Sequence, residues 1–89
     1  MLDLSLSKDA AAFISGRPPK HQRQIAAKIQ DLRLDPLPTD SISLKGSAEF
    51  KRVDCGEYRI IYRFDARTLY VTIIGKRNDD EVYRRFARK

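Results

Sequence analysis

The chain predicts an α+β domain in which an N-terminal short strand and a helical hairpin pack on a small antiparallel sheet, with a short C-terminal helix at the end. Three observations carry that expectation. Apolar residues recur at helical spacing between about residues 8 and 34. Three stretches between 49 and 75 alternate apolar and polar side chains over strand-like lengths. Clusters of Gly, Pro, Asp and Ser separate these segments.

Leu2, Leu4 and Leu6 alternate with Asp3 and Ser5, the pattern of a short strand with one buried face. Ser7 offers an N-cap for a helix over Lys8 to Ser15, which Gly16 stops. Pro18 and Pro19 cannot continue that helix but suit the opening of another, where the missing N–H costs nothing. In this second helix Ile25, Ile29 and Leu32 form one apolar stripe, and Leu34-Asp35-Pro36 ends it. The two apolar helix faces need a sheet to cover. After a loop from Asp35 to about Ser43, residues 49 to 55, 58 to 64 and 69 to 75 form a three-strand meander, joined by short turns at Gly56-Glu57 and at Asp65 to Thr68. In its middle strand Tyr58, Ile60, Tyr62 and Phe64 share the face expected to meet the helices. Arg59, Ile61 and Arg63 share the face expected to meet solvent or a ligand. Asp79, followed by Asp80 and Glu81, can cap a final helix through Val82, Tyr83 and Phe86.

Composition narrows the function. The 89 residues suit one domain, 1–89, with a modest core. No stretch approaches the roughly 18 apolar residues that a membrane span needs, and Met1 to Leu6 lacks the basic and long apolar regions of a secretory signal. A single cysteine, Cys55, permits no internal disulfide. A cytoplasmic location is expected, with no membrane partner. One His and one Cys cannot supply a nitrogen and sulfur metal site, which leaves only a carboxylate magnesium site open, and no cofactor is expected. Charge is lopsided: residues 51 to 89 hold eleven basic against six acidic side chains, a net +5 of the chain's +6. Such a surface raises the local concentration of polyanions, so nucleic acid is the first partner to consider.

Leu44-Lys45-Gly46, then Arg52-Val53, Gly56-Glu57-Tyr58-Arg59-Ile60-Ile61-Tyr62, Gly75-Lys76-Arg77 and Glu81-Val82-Tyr83 resemble the RelE branch of the RelE/ParE toxin superfamily. The order of elements agrees, so the resemblance implies the RelE-like microbial RNase fold. It also implies a function. RelE-like toxins are metal-independent mRNA interferases, endoribonucleases that enter the vacant ribosomal A site, cut mRNA by attack of its own 2'-hydroxyl and so inhibit translation. Each is held by an antitoxin, here a RelB-like protein that covers the basic face or displaces the last helix. The Leu-Lys-Gly and Gly-x-Tyr-Arg signatures also mark ParE-like members that poison DNA gyrase without cutting RNA. A degenerate toxin that binds RNA or the ribosome without chemistry is a further alternative.

By matching motifs, Arg59 would stabilise the transition state and Arg77 would do so or act as the acid, while Tyr83 would orient or stack on a base. Arginine suits phosphate because its fork donates two parallel bonds and stays charged. Cleaving members commonly place two basic residues two positions apart on the exposed face of the strand at 49 to 55, one proposed as general base. Here those positions hold Arg52 and Asp54. Arginine cannot serve as the base. Lys51 becomes a candidate if a bulge turns it outward, and the Asp54 carboxylate is a reasonable base in its own right. Lys45, Arg63, Lys76 and Arg84 are candidate RNA contacts, with Arg85, Arg88 and Lys89 on a solvated helix face or against the RNA backbone. His21 reads as a solvated helix residue and Cys55 as a small apolar packing residue.

Overall fold

Ser7 joins the first strand to the first helix through three hydrogen bonds. Its backbone N–H donates to Val71 O at 3.0 Å and its Oγ donates to Thr72 O at 2.5 Å, while the same Oγ accepts from the Ala10 N–H at 3.0 Å. The expected cap is therefore also a clamp on the sheet. In the computed structural model, which describes residues 1–77 and 81–87, the order is β1 (Asp3–Leu6), α1 (Lys8–Ser15), α2 (Pro19–Leu34), β2 (Ile42–Ser43), β3 (Lys51–Cys55), β4 (Tyr58–Phe64), β5 (Thr68–Lys76) and α3 (Glu81–Ala87). Both long helices have the bounds read from the sequence. The N-cap expected of Asp79 lies outside the described residues, as do Arg88 and Lys89.

The strands form a five-stranded sheet in the order β1-β5-β4-β3-β2. The β3-β4-β5 meander is antiparallel, as is the β2-β3 pair, and β1 adds to the far edge parallel to β5. Gly56 opens the two-residue β3–β4 turn at φ +59°, the value a II′ turn requires at its first central position. β2 falls inside the stretch read as loop; at two residues it is too short to carry an alternation signal. Between β4 and β5 the register skips Thr72, so Val71 and Ile74 both face the helices.

The sheet is covered on both faces. Beneath α1 and α2, Ala10, Ile25, Ile29, Leu32, Val53, Tyr58, Ile60, Tyr62, Leu69, Val71 and Ile74 form the main core, with Cys55 packed among them as expected. Phe13 meets Tyr58 edge to face at 5.6 Å. On the opposite face Leu44, Ile61, Ile73 and Val82 form a second cluster, flanked by Phe50, Tyr83 and Phe86. This corrects the expectation that the arginine face of β4 meets solvent or ligand throughout, because Ile61 is fully buried there. The reason is α3, which lays Val82 against β5 at Gly75. A Cβ at Gly75 would stand 2.3 Å from Val82 Cγ1.

A second correction concerns β1. Leu4 and Leu6 are exposed rather than buried. They pair with Leu69 and Val71 on the helix side of the sheet, but β1 is the edge strand and α1 lies over β5, so the helices do not reach across it. Only Leu2 packs against the core, next to the point where the Arg33 Nε donates to Leu2 O at 2.6 Å.

Candidate active site

The two-residue turn at Gly56-Glu57 fixes what faces what. It sets Asp54 opposite Arg59 in the β3–β4 ladder, and β5 in turn sets Gly75 opposite Arg59. Because Gly75 has no side chain, α3 can settle close to the sheet, and this brings Tyr83 over the arginine. Arg59 Nε donates to Asp54 Oδ1 at 2.9 Å and its Nη1 donates to Tyr83 Oη at 2.8 Å, with the guanidinium carbon 5.7 Å from the Tyr83 ring centre. Arg77 follows β5 directly. Its Nε stands 4.0 Å from Asp54 Oδ2, its N–H donates to Glu57 O at 2.9 Å, and its Nη1 makes a long bond to Gly56 O at 3.5 Å.

Asp54 is thus a carboxylate between two arginines, with one oxygen engaged by Arg59 and the other nearer Arg77. Arg59 is the buried member, its side chain only 17% exposed, whereas Arg77 is 53% exposed. Burial acts to lower the pKa of Arg59, but its hydrogen bond to Asp54 and the neighbouring Tyr83 and Asp54 charges outweigh it, so the pKa is raised. Arg59 is a fixed cation. The cluster offers a fork donor, a solvent-facing cation, a carboxylate acceptor and an aromatic face within one small area.

The other sequence candidates fall around this cluster in different ways. Arg52 sits opposite Ile61, so it shares the face of Asp54 and Arg59, and its side chain makes no hydrogen bond or ion pair among the described residues. Lys51 sits opposite Tyr62, the helix side of the sheet, and no bulge interrupts β3 against β4 to turn it outward. Its Nζ donates to Ser43 Oγ at 3.3 Å and Ala48 O at 3.0 Å, away from Arg59. Arg63 is engaged farther along β4, where Nε meets Glu49 at 3.4 Å and the guanidinium lies 3.9 Å over the Tyr70 ring. Lys45 stands exposed at the tip of the Leu44–Ser47 turn, with Leu44 anchored in the second core cluster and Gly46 at φ +80°. Lys76 and Arg84 are exposed.

Two contacts escaped the sequence reading. Arg85 of α3 forms an ion pair with Asp9 of α1, tying the C-terminal helix across the sheet edge. His21 is not a solvated helix residue: Nδ1 is 2.6 Å from Tyr58 Oη and 3.3 Å from Glu57 Oε1, and the two rings meet edge to face. Residues far apart in sequence give no local signal of either contact. The Asp54–Arg59 pairing did have one, since a two-residue turn at 56–57 implies that 54 and 59 face each other.

No protein-family model and no curated protein sequence matches the chain. Solved structures do. A mutant of the E. coli toxin RelE in the free state is similar with TM-score 0.79 at 17% identity, over 98% of this chain and 95% of that one. RelE in the archaeal RelE–RelB complex from Pyrococcus horikoshii OT3 is similar with TM-score 0.74 at 21% identity, over 86% and 96%. YafQ from E. coli strain BL21(DE3) is similar with TM-score 0.67 at 15% identity, over 86% and 94%. The chain has the fold of the RelE-like toxin superfamily.

Proposed function

We propose that this chain is the toxin of a toxin–antitoxin pair and acts as a ribosome-dependent endoribonuclease that cuts mRNA in the A site. The observation that carries the reading is the convergence of Arg59, Arg77, Asp54 and Tyr83 on one partly open face. Its chemistry suits cleavage by the RNA's own 2'-oxygen. That oxygen attacks phosphorus and gives its proton to Asp54, whose Oδ2 is the less engaged oxygen. Arg59 and Arg77 neutralise the extra phosphorane charge as it develops. The bond to the 5'-oxygen then breaks, leaving a 2',3'-cyclic phosphate on one fragment and a 5'-oxygen on the other that takes its proton from water, while Arg77 stabilises the charge developing on it. Tyr83 supplies a ring on which an unstacked base can lie, in exchange for its hydroxyl contact to Arg59.

In this reading Asp54 takes the place that a basic residue commonly holds in RelE-like nucleases. Lys51 has no part in the chemistry, and Arg52 adds positive charge beside the cluster. A RelB-like antitoxin is the second proposed partner, since RelE structures with this fold include complexes with RelB. An acidic segment laid over Arg59 and Arg77 would compete with RNA for the same cations.

The test is to add the purified protein to programmed ribosomes with an empty A site and to map mRNA breaks by primer extension, with naked mRNA and Arg77→Ala as controls. Breaks at the A-site codon that require both the ribosome and Arg77 support the reading. An intact message from folded protein overturns it and brings forward gyrase poisoning, which DNA-damage induction would reveal.

A further inference from the structure

Behind the β3–β4 turn lies a second concave surface that the proposed chemistry does not use. Lys20, His21, Arg23 and Gln24 of α2 face Gly56 and Glu57 of the turn across an open cleft of about 620 Å³. Gly56 is in the left-handed region, and the Gln24 side-chain amide of α2 lies over it, 2.4 Å from where a Cβ would stand. Lys20 and Arg23 are exposed, and their side chains make no hydrogen bond or ion pair among the described residues. Elsewhere, cations such as Lys28, Arg59, Arg63 and Arg85 are matched with carboxylates. Among the described residues that line the cleft, Glu57 is the one acidic side chain, and it is turned toward His21 Nδ1 at 3.3 Å.

The β3–β4 turn is shared by the cleft and the candidate active site. Arg77 binds both turn residues, from its backbone N–H to Glu57 O and from Nη1 to Gly56 O, while its Nε faces Asp54. The turn thus has the Arg59–Arg77 pair on one side and Lys20 and Arg23 of the cleft on the other. Two unpaired cations on one wall of a cleft suit the regularly spaced phosphates of an RNA strand, which are bound through released counterions with no demand on base sequence.

We infer that the Lys20/Arg23 cleft is a phosphate-binding subsite for the single-stranded RNA that leads away from the bond to be cut. The inference rests on the nuclease reading for the direction of the strand, but the cleft's affinity for RNA does not depend on cleavage.

The experiment compares wild type, Lys20→Ala/Arg23→Ala and Arg77→Ala by fluorescence anisotropy with 2'-O-methyl RNA, which cannot be cut. One probe is a dinucleotide, the other a single strand of ten nucleotides. For the longer probe the double variant should bind about tenfold more weakly at physiological salt, with a salt slope smaller by about 1.4, or about 0.7 for each phosphate no longer neutralised. For the dinucleotide it should match wild type. Both substituted side chains are exposed, so thermal unfolding should be unchanged. Equal affinity and equal slope for both proteins on the longer RNA would overturn the subsite. So would a double variant that loses affinity only for an acidic antitoxin peptide, because the cleft would then be a protein-docking surface. If the double variant loses RNA as expected while Arg77→Ala binds the RNA as wild type does and cuts as wild type does in the primer-extension assay on programmed ribosomes, the subsite stands and the reading of the active site fails.

Discussion

Arg59 and Asp54 face each other across the β3–β4 ladder, and the guanidinium Nε donates to the carboxylate at 2.9 Å. The same guanidinium reaches Tyr83 with a different nitrogen, Nη1. One fork thus holds two partners from two elements, which a lysine's single ammonium on a flexible stem cannot reproduce in the same geometry. Arg59→Lys should therefore lose nearly as much cleavage as Arg59→Ala, on the order of 10²- to 10³-fold for a preorganised charge donor. Single-turnover cleavage on programmed ribosomes checks this. Retention of wild-type rate by Arg59→Lys would show that charge alone suffices.

Asp54 can either take the proton or merely hold Arg59 in place, and one substitution separates the two. Asp54→Asn preserves shape and a hydrogen-bond acceptor for Arg59 but cannot accept a proton from a 2'-hydroxyl. If Asp54 is the base, the variant should cut about 10²- to 10⁴-fold more slowly while binding RNA at least as tightly, because a negative charge beside the phosphate is gone. A kcat loss with an unchanged or lower KM is the expected pattern. A variant that keeps its cleavage rate would assign Asp54 a positioning role alone.

The helices, the meander and the face of β4 that meets the helices were legible because each depends on local pattern. Ser7, Pro19 and the Ile25-Ile29-Leu32 stripe announce their elements within a turn or two of chain. What was not legible depends on edges and on partners distant in sequence. The Leu2-Leu4-Leu6 alternation identifies a strand but cannot say that the strand lies at an edge, where its apolar side is half uncovered. The Arg59-Ile61-Arg63 face looked open because nothing in β4 indicates that α3 returns to cover Ile61. Among the candidate site residues, Arg59, Arg77, Tyr83 and Asp54 come together, whereas Lys51 belongs to the opposite face by simple parity with Val53 and Cys55.

The seating of α3 gives a prediction about stability and site geometry together. Gly75→Ala would place a methyl group 2.3 Å from Val82 Cγ1, so the helix must lift or the strand must bend. The expected cost is about 1 to 3 kcal/mol, the range for overpacking a close contact. Combining it with Val82→Ala should cost less than the sum of the two single changes, since the second removes the atoms with which the first collides. Urea unfolding of the four proteins checks the non-additivity. Faster amide exchange over 81–87 in Gly75→Ala, together with reduced cleavage, would connect the lift to loss of Tyr83 from Arg59. Strict additivity would mean that the contact does not govern how α3 sits.

Tyr62 sets a limit on the alkaline side. The side chain is fully buried and its hydroxyl donates to Pro36 O at 2.7 Å, fastening the start of the loop after α2 to the middle strand. Burial, aided by the Asp40 and Asp35 charges, pushes its pKa up to about 12, whereas an exposed tyrosine ionises near 10. A folded-state pKa above the unfolded one means that the unfolded chain releases this proton first as pH rises. The stabilisation is therefore complete below about pH 10 and is lost progressively as pH rises through about 12. Tyr62→Phe removes both the hydrogen bond and the titration. At pH 7 the variant should be less stable by roughly 1 to 3 kcal/mol, the cost of leaving a buried carbonyl without its donor. Between pH 10 and 12 the wild type should lose stability more steeply, so that the gap between the two proteins narrows. The comparison cancels the other titrating groups, which both proteins share. Parallel denaturation curves across that range would show that Tyr62 does not carry the alkaline sensitivity.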